Sequence, residues 1–177
     1  LLILLSGCVK IDNSLDLRDN DAINIDLQIE SKYINKIPWQ VKLEEKFKAS
    51  FPKNQLRIDD KNLTLFKKNI KLTDTELFIN KLLKIISNTI NVNLKDMKIG
   101  FSKKNYLFLE KRHYQINFDL INLNEIDDLE INVNIITPYK TNILNKNDQI
   151  STNKNIIFWK LIPGSNNTIE FFYWYWN

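Results

Sequence analysis

Few side chains in this 177-residue chain are placed to do covalent chemistry. The clearest is Cys8, which closes the run Leu1-Leu2-Ile3-Leu4-Leu5-Ser6-Gly7-Cys8. An apolar run followed by Leu-Ser-Gly-Cys is the small-residue cleavage pattern that bacterial lipoprotein processing requires before a cysteine. The Cys8 thiol is therefore expected to carry lipid, with residues 1–7 the remnant of a signal peptide clipped within its length. The competing reading of the run is a short buried strand with an inert thiol, free Cys being a common core residue. Cys8 is the one cysteine, so no intrachain disulfide can form and stability must come from packing.

The remaining candidates point away from catalysis. His113 is the one histidine, and it shares the polar phase of a strand with Gln115, Asn117 and Asp119, the pattern of a solvated surface residue. A zinc site built from His and Cys is nearly excluded with the cysteine committed to lipid. The carboxylate pairs Asp12/Asp16, Asp19/Asp21, Asp59/Asp60 and Asp127/Asp128 suit turns, because Asp bonds its own backbone there, and none fits a calcium loop. Glycines at positions 7, 100 and 164 allow no phosphate-binding loop, and no Gly-x-Ser-x-Gly elbow is present. The expectation is a non-enzymatic protein with no catalytic residue, no metal and no cofactor.

Two charge patterns stand out. Glu110 and Arg112 share the phase of Tyr106, Phe108, Tyr114 and Ile116, which sets two charges on an apolar face. Either a bulge at 110–112 switches the faces, or the pair lines a partly buried site, burial of an ion pair being costly without further hydrogen bonds. Lys67-Lys68 with Lys71, and Lys103-Lys104 with Lys111, could meet anionic headgroups or blunt a sheet edge. The net charge of +4 is almost wholly lysine and fits an anionic membrane surface; nucleic acid is not expected as a partner.

These residues must be carried by elements that the hydrophobic pattern outlines. Val9, Ile11, Leu15 and Leu17, then Ile23, Ile25, Leu27 and Ile29, alternate around a polar turn and predict a hairpin. Pro38, Trp39, Leu43 and Phe47 predict a short helix that stops before Pro52. A second hairpin flanks residues 59–62. Thr73-Asp74-Thr75-Glu76 matches a capping box, and the apolar face behind it, through Phe78, Leu82, Ile86 and Ile90, predicts a long helix lying on a sheet. Strands follow from Met97 to Phe101, across a turn at 102–105 into a run from Tyr106 to Ile121, and from Leu129 to Ile135. A polar stretch from Asn145 to Asn155 reads as a loop. Ile156–Ile162 and Thr168–Trp176 read as a last hairpin about Pro163-Gly164. The class is α+β: a mostly antiparallel sheet of several hairpins with two amphipathic helices packed on it, in one domain over 8–177.

Leu-Ser-Gly-Cys8-Val9-Lys10-Ile11-Asp12, the stretch Met97–Arg112 through Tyr114–Leu120, Leu129–Pro138 and Trp159–Gly164 through Ile169-Glu170 together resemble the cyanobacterial lipoproteins with domain of unknown function 3153, related to the LppM-type lipoprotein domain. The resemblance runs through the whole chain in order, carries no catalytic residues, and lacks the Pro that the family places after the equivalent of Trp174. It implies a membrane-anchored α+β domain, by analogy one that handles lipid. The expected location is the periplasmic or thylakoid-lumenal face of a membrane. A cleft between sheet and helices, lined by Leu82, Ile86 and Phe118, would take lipid, with Glu110 and Arg112 as further candidates. A filled core with an exposed apolar patch would instead suit a protein-interaction or assembly factor for a membrane complex. The six aromatics from Phe171 to Trp176, Tyr and Trp being interfacial residues, make Trp174 and Trp176 candidate membrane contacts with Lys103 and Lys104. They also predict a transmembrane helix soon after Asn177.

Overall fold

The computed structural model describes residues 9–19, 22–31, 38–59, 62–123 and 129–176. Strands β1 (Val9–Asp16) and β2 (Ala22–Ser31) form the expected antiparallel hairpin, from Val9 opposite Ser31 to Asp16 opposite Asn24. Its alternation buries Leu15, Leu17, Ile23, Ile25, Leu27 and Ile29 on one face. Helix α1 (Pro38–Ser50) buries Gln40, Leu43 and Phe47, one stripe at near-helical spacing. Strands β3 (Leu56–Ile58) and β4 (Asn62–Lys71) pair as the second hairpin. The Asp59 carboxylate closes its turn by accepting from the Asn62 amide at 2.8 Å.

Helix α2 (Leu72–Ile90) leaves β4 without a break. This corrects the capping box, because the residue at the cap is Lys71 and no side chain caps the helix. The proposed partners are used elsewhere: Thr75 donates to the Lys71 carbonyl at 3.1 Å, and the Glu76 carboxylate accepts from the Ile99 amide at 2.9 Å. The helix ends at Asn91 in the left-handed conformation, φ 57°, where Asn is tolerated because its side chain is short and polar.

Strands β5 (Lys98–Tyr106) and β6 (Leu109–Asp119) form a hairpin whose turn is Leu107-Phe108, not 102–105 as the polar residues suggested. The reason is cross-strand: this register sets Ile99 opposite Ile116 and Phe101 opposite Tyr114. Lys103 and Lys104 lie within β5, an edge strand, where lysine hinders further pairing. Strands β7 (Leu129–Ile136), β8 (Asn142–Ile143), β9 (Ile150–Asn153), β10 (Ile156–Leu161) and β11 (Asn166–Trp176) complete the described elements.

Two sheets result, with orders β3-β4-β2-β1-β7-β10-β9 and β5-β6-β11-β8. β1 and β7 run parallel, and the other pairings among the described residues are antiparallel. Two expectations fail here. The stretch 145–155 contains β9, which makes a hairpin with β10 through Lys154 at φ 54°. β10 and β11 are not a hairpin at all, since they belong to different sheets. Pro163-Gly164 carries the chain between the sheets, held by the Gly164 amide on the Leu120 carbonyl at 2.9 Å and by the Asn167 side chain on both polar groups of the Ile162 backbone.

The sheets face one another across a shared core. Leu15, Ile25, Val133 and Trp159 of the first meet Ile116, Phe118, Ile169 and Phe171 of the second. The rings of Phe118 and Trp159 lie 5.8 Å apart across it. Both helices pack on the first sheet and on each other, tied by an aromatic series from Phe47 to Phe51 at 5.5 Å and Phe51 to Phe78 at 5.8 Å.

Candidate functional site

Where the helices lie over β1, β7 and the end of β6, packing leaves a cavity of about 100 Å³. Helix α2 contributes Ile79, Leu82 and Ile86, and α1 contributes Trp39 and Leu43. The floor is Val9, Ile11 and Asn13 of β1 beside Leu129, Ile131 and Val133 of β7, and one wall is Phe118 and Leu120. The parallel register explains the floor, because Val9, Ile11 and Asn13 stand directly beside Leu129, Ile131 and Val133. Leu82, Ile86 and Phe118 are therefore brought together as the sequence predicted.

One floor residue breaks the pattern. Asn13 is buried among apolar neighbours, and its Oδ1 has no hydrogen-bond partner in the protein; nor has Nε1 of Trp39, which lines the same cavity. A buried polar atom left unpaired costs about 1–3 kcal/mol. One acceptor and one donor thus stand unsatisfied in a container that is otherwise hydrocarbon. Reasoning from the sequence missed both, although a signal was present: Asn13 occupies the buried odd phase between Ile11 and Leu15.

Glu110 and Arg112 are not part of this cavity. β6 pairs with β5 and β11 through positions 109–119 without a shift of register, so the bulge is absent and both charges point into the core side near the Leu107-Phe108 turn. The Arg112 Nε donates to the Glu110 carboxylate at 2.5 Å, Lys103 stands 3.6 Å from the same carboxylate, and the guanidinium lies 4.6 Å from the Tyr175 ring centroid. Burial works against the Arg112 charge, yet its bonds to Glu110 and Tyr173 hold its pKa above the ordinary value. Beside it the Tyr114 and Tyr173 hydroxyls are 3.3 Å apart, and burial pushes both phenols upward. The arrangement is a neutralised polar cluster inside the sheet, with its groups satisfied.

His113 lies half-exposed, 2.8 Å from the Glu170 carboxylate. No group of three or more His, Cys, Asp or Glu suited to a metal occurs among the described residues. Of the candidate membrane contacts, Trp174 and Trp176 are exposed, and Lys104 shares their face while Lys103 points to the opposite one. Cys8 lies outside the described residues; Val9, the next residue, is in the cavity floor. No helix among the described residues is long and apolar enough to cross a membrane.

Compared with known families, residues 13–177 match the model of the family described as a protein of unknown function, DUF3153. No curated protein matches the chain. Among solved structures, the folded domain of LppM from Mycobacterium tuberculosis, determined by NMR, is similar at 12% identity and a TM-score of 0.49, over 96% of this chain and 91% of that one.

Proposed function

The chain belongs to the DUF3153 family of proteins of unknown function, and from that premise we propose that it holds the apolar chain of a lipid between its helices and its larger sheet. The observation that carries the reading is the cavity: a hydrocarbon-lined space with one unpaired acceptor on Asn13 and one unpaired donor on Trp39. A hydroxyl or amide on an otherwise apolar ligand would pair with either. The volume, about 100 Å³, is below the roughly 300–1,000 Å³ of pockets for drug-sized ligands. It approaches that of engineered apolar cavities that accept benzene, of order 150 Å³. The ligand part held there is accordingly slender, a stretch of acyl chain, with any headgroup outside. No catalytic step belongs to this reading.

In the same proposal the domain is a lipoprotein, fixed by acyl groups on Cys8 to the outward face of a bacterial membrane. Support comes from the Leu-Ser-Gly-Cys8 sequence and from the position of Val9, the residue after Cys8, which opens β1 at the cavity floor.

The test is lipid extraction and mass spectrometry of the purified full chain, with displacement of a fluorescent fatty-acid analogue. Wild type should release a bound lipid and take up the analogue. Ile86→Trp, which fills the space, should do neither while keeping its fold. A wild-type chain that carries no lipid and ignores the analogue overturns the proposal. If Cys8→Ser alone empties the cavity, the occupant is the chain's own acyl group.

A further inference from the structure

At the other end of β6 the surface is apolar where solvent should be met. The turn Leu107-Phe108 joins β5 to β6, and its residues are 95% and 71% exposed. Two-residue hairpin turns favour Gly, Asn and Asp. Nothing in the turn calls for large apolar side chains, and neither residue makes a ring contact that would shelter it.

The pairing registers extend this tip into a patch. Tyr106 stands opposite Leu109, which stands opposite Trp176, and one row back Lys104, Lys111 and Trp174 follow across the same three strands. Alternation puts all six on the face turned away from the core, with Phe172 behind them. Tyr106 is 43%, Trp174 37% and Trp176 63% exposed. Their rings form a loose chain, Tyr106 to Trp174 at 5.4 Å and Trp174 to Phe172 at 6.3 Å. Over this chain lie two cations: Lys104 Nζ is 5.4 Å from the Tyr106 centroid and Lys111 Nζ 3.9 Å from that of Phe172. The carboxylate that follows on this face, Glu170, is paired with His113.

We propose that this tip and face dock on an anionic lipid bilayer, with Leu107 and Phe108 entering the acyl boundary, Tyr106, Trp174 and Trp176 at headgroup level, and Lys104 and Lys111 on lipid phosphates. The chemistry fits that layering. Leu and Phe gain from leaving water, Tyr and Trp have an apolar body and a polar handle for the interface, and lysine stems reach past apolar surface to set their ammonium groups among phosphates. A protein groove would match the two apolar residues, but the lysines poised over exposed rings favour a surface of diffuse negative charge. The proposal uses no residue of the cavity and stands or falls apart from it.

The experiment is flotation of the full chain carrying Cys8→Ser, so that no acyl group contributes, with vesicles of equal parts phosphatidylglycerol and phosphatidylcholine or of phosphatidylcholine alone. The chain should float with the anionic vesicles, with a blue shift of tryptophan emission, and bind neutral vesicles far less. Leu107→Ser with Phe108→Ser should weaken binding about tenfold or more, as the transfer energy of two large apolar side chains requires. Lys104→Glu with Lys111→Glu should abolish the preference for anionic vesicles. Both pairs are exposed or partly exposed, and unchanged melting curves would show that the fold is intact. Failure of the parent to float, or equal flotation of the tip variant, overturns the proposal. So does a concentration-dependent dimer in sedimentation that the tip variant abolishes, which would assign the patch to a second copy of the chain.

Discussion

The two ends of β6 carry similar residues to different fates. Around Phe118, apolar side chains of both sheets are covered by α1 and α2, and Leu82 is 4% exposed. Around Leu109, the aromatics of β5 and β11 face outward with no helix among the described elements above them, and Trp176 is 63% exposed. Hydrophobicity is comparable, so what differs is the face of the second sheet that each residue occupies. The helices and the second sheet cover the same face of the larger sheet, that of Val9, Asn13 and Leu15, and the second sheet likewise has one covered face, that of Phe118, Ile169 and Phe171. An apolar residue on the covered face contributes to stability; one on the outer face stays open to a further surface.

That contrast can be broken first at the covered end. Leu82→Asp should unfold the domain, because a carboxylate would replace a core side chain whose loss alone costs about 2–5 kcal/mol; a cooperative melt at the wild-type temperature would put that helix face in solvent. Next comes the buried ion pair at the sparsely covered end. Glu110→Ala should cost about 3 kcal/mol in urea unfolding, since Arg112 loses its carboxylate while buried, and the double change Glu110→Leu with Arg112→Met should recover much of it.

The tyrosines test the same interior by pH. Burial raises the folded-state pKa of Tyr114 and Tyr173 above the unfolded value near 10. Stability from keeping them protonated is therefore complete below about pH 10 and is lost as pH rises toward the folded-state values, by up to roughly 1.4 kcal/mol per pH unit for each. In an alkaline titration two of the six tyrosines should give phenolate absorbance only with unfolding. Removing the orphaned acceptor should do the reverse: Asn13→Leu is expected to stabilise the fold by about 1 kcal/mol. The smallest change belongs to the open end, where Leu107→Ser with Phe108→Ser should move stability by no more than about 0.5 kcal/mol, as for surface sites in general.

Periodicity made much of this legible. The first hairpin, both helices and the lining by Leu82, Ile86 and Phe118 follow from spacing, because their apolar faces are buried and fix the phase. What spacing could not supply was partnership between distant segments. Ser102 to Asn105 look like a turn, yet pairing of Phe101 with Tyr114 carries the strand through them. Thr73 to Glu76 look like a cap, yet Glu76 is bonded to Ile99 and the helix starts from Lys71. Ile156 to Trp176 look like one hairpin, yet each strand finds its neighbours in a different sheet. In each case local turn or cap chemistry was outweighed by long-range pairing that no short window of sequence contains.

β6 runs from Leu109 to Asp119 as one strand without a shift of register. At about 3.3–3.4 Å per residue, the nine steps from Leu109 to Phe118 span roughly 30 Å. With the turn set on a bilayer and the strand upright, the cavity and Val9 in its floor would stand well above the headgroups, a pose open only to a chain whose Cys8 acyl groups are out of that leaflet. An acyl chain could not then slide from that leaflet into the protein while staying in oil. Loading would demand that the domain tip over onto its helices, or that a second membrane or a carrier approach from above. Strand length thus acts as a gauge, setting the clearance across which any cargo must be handed.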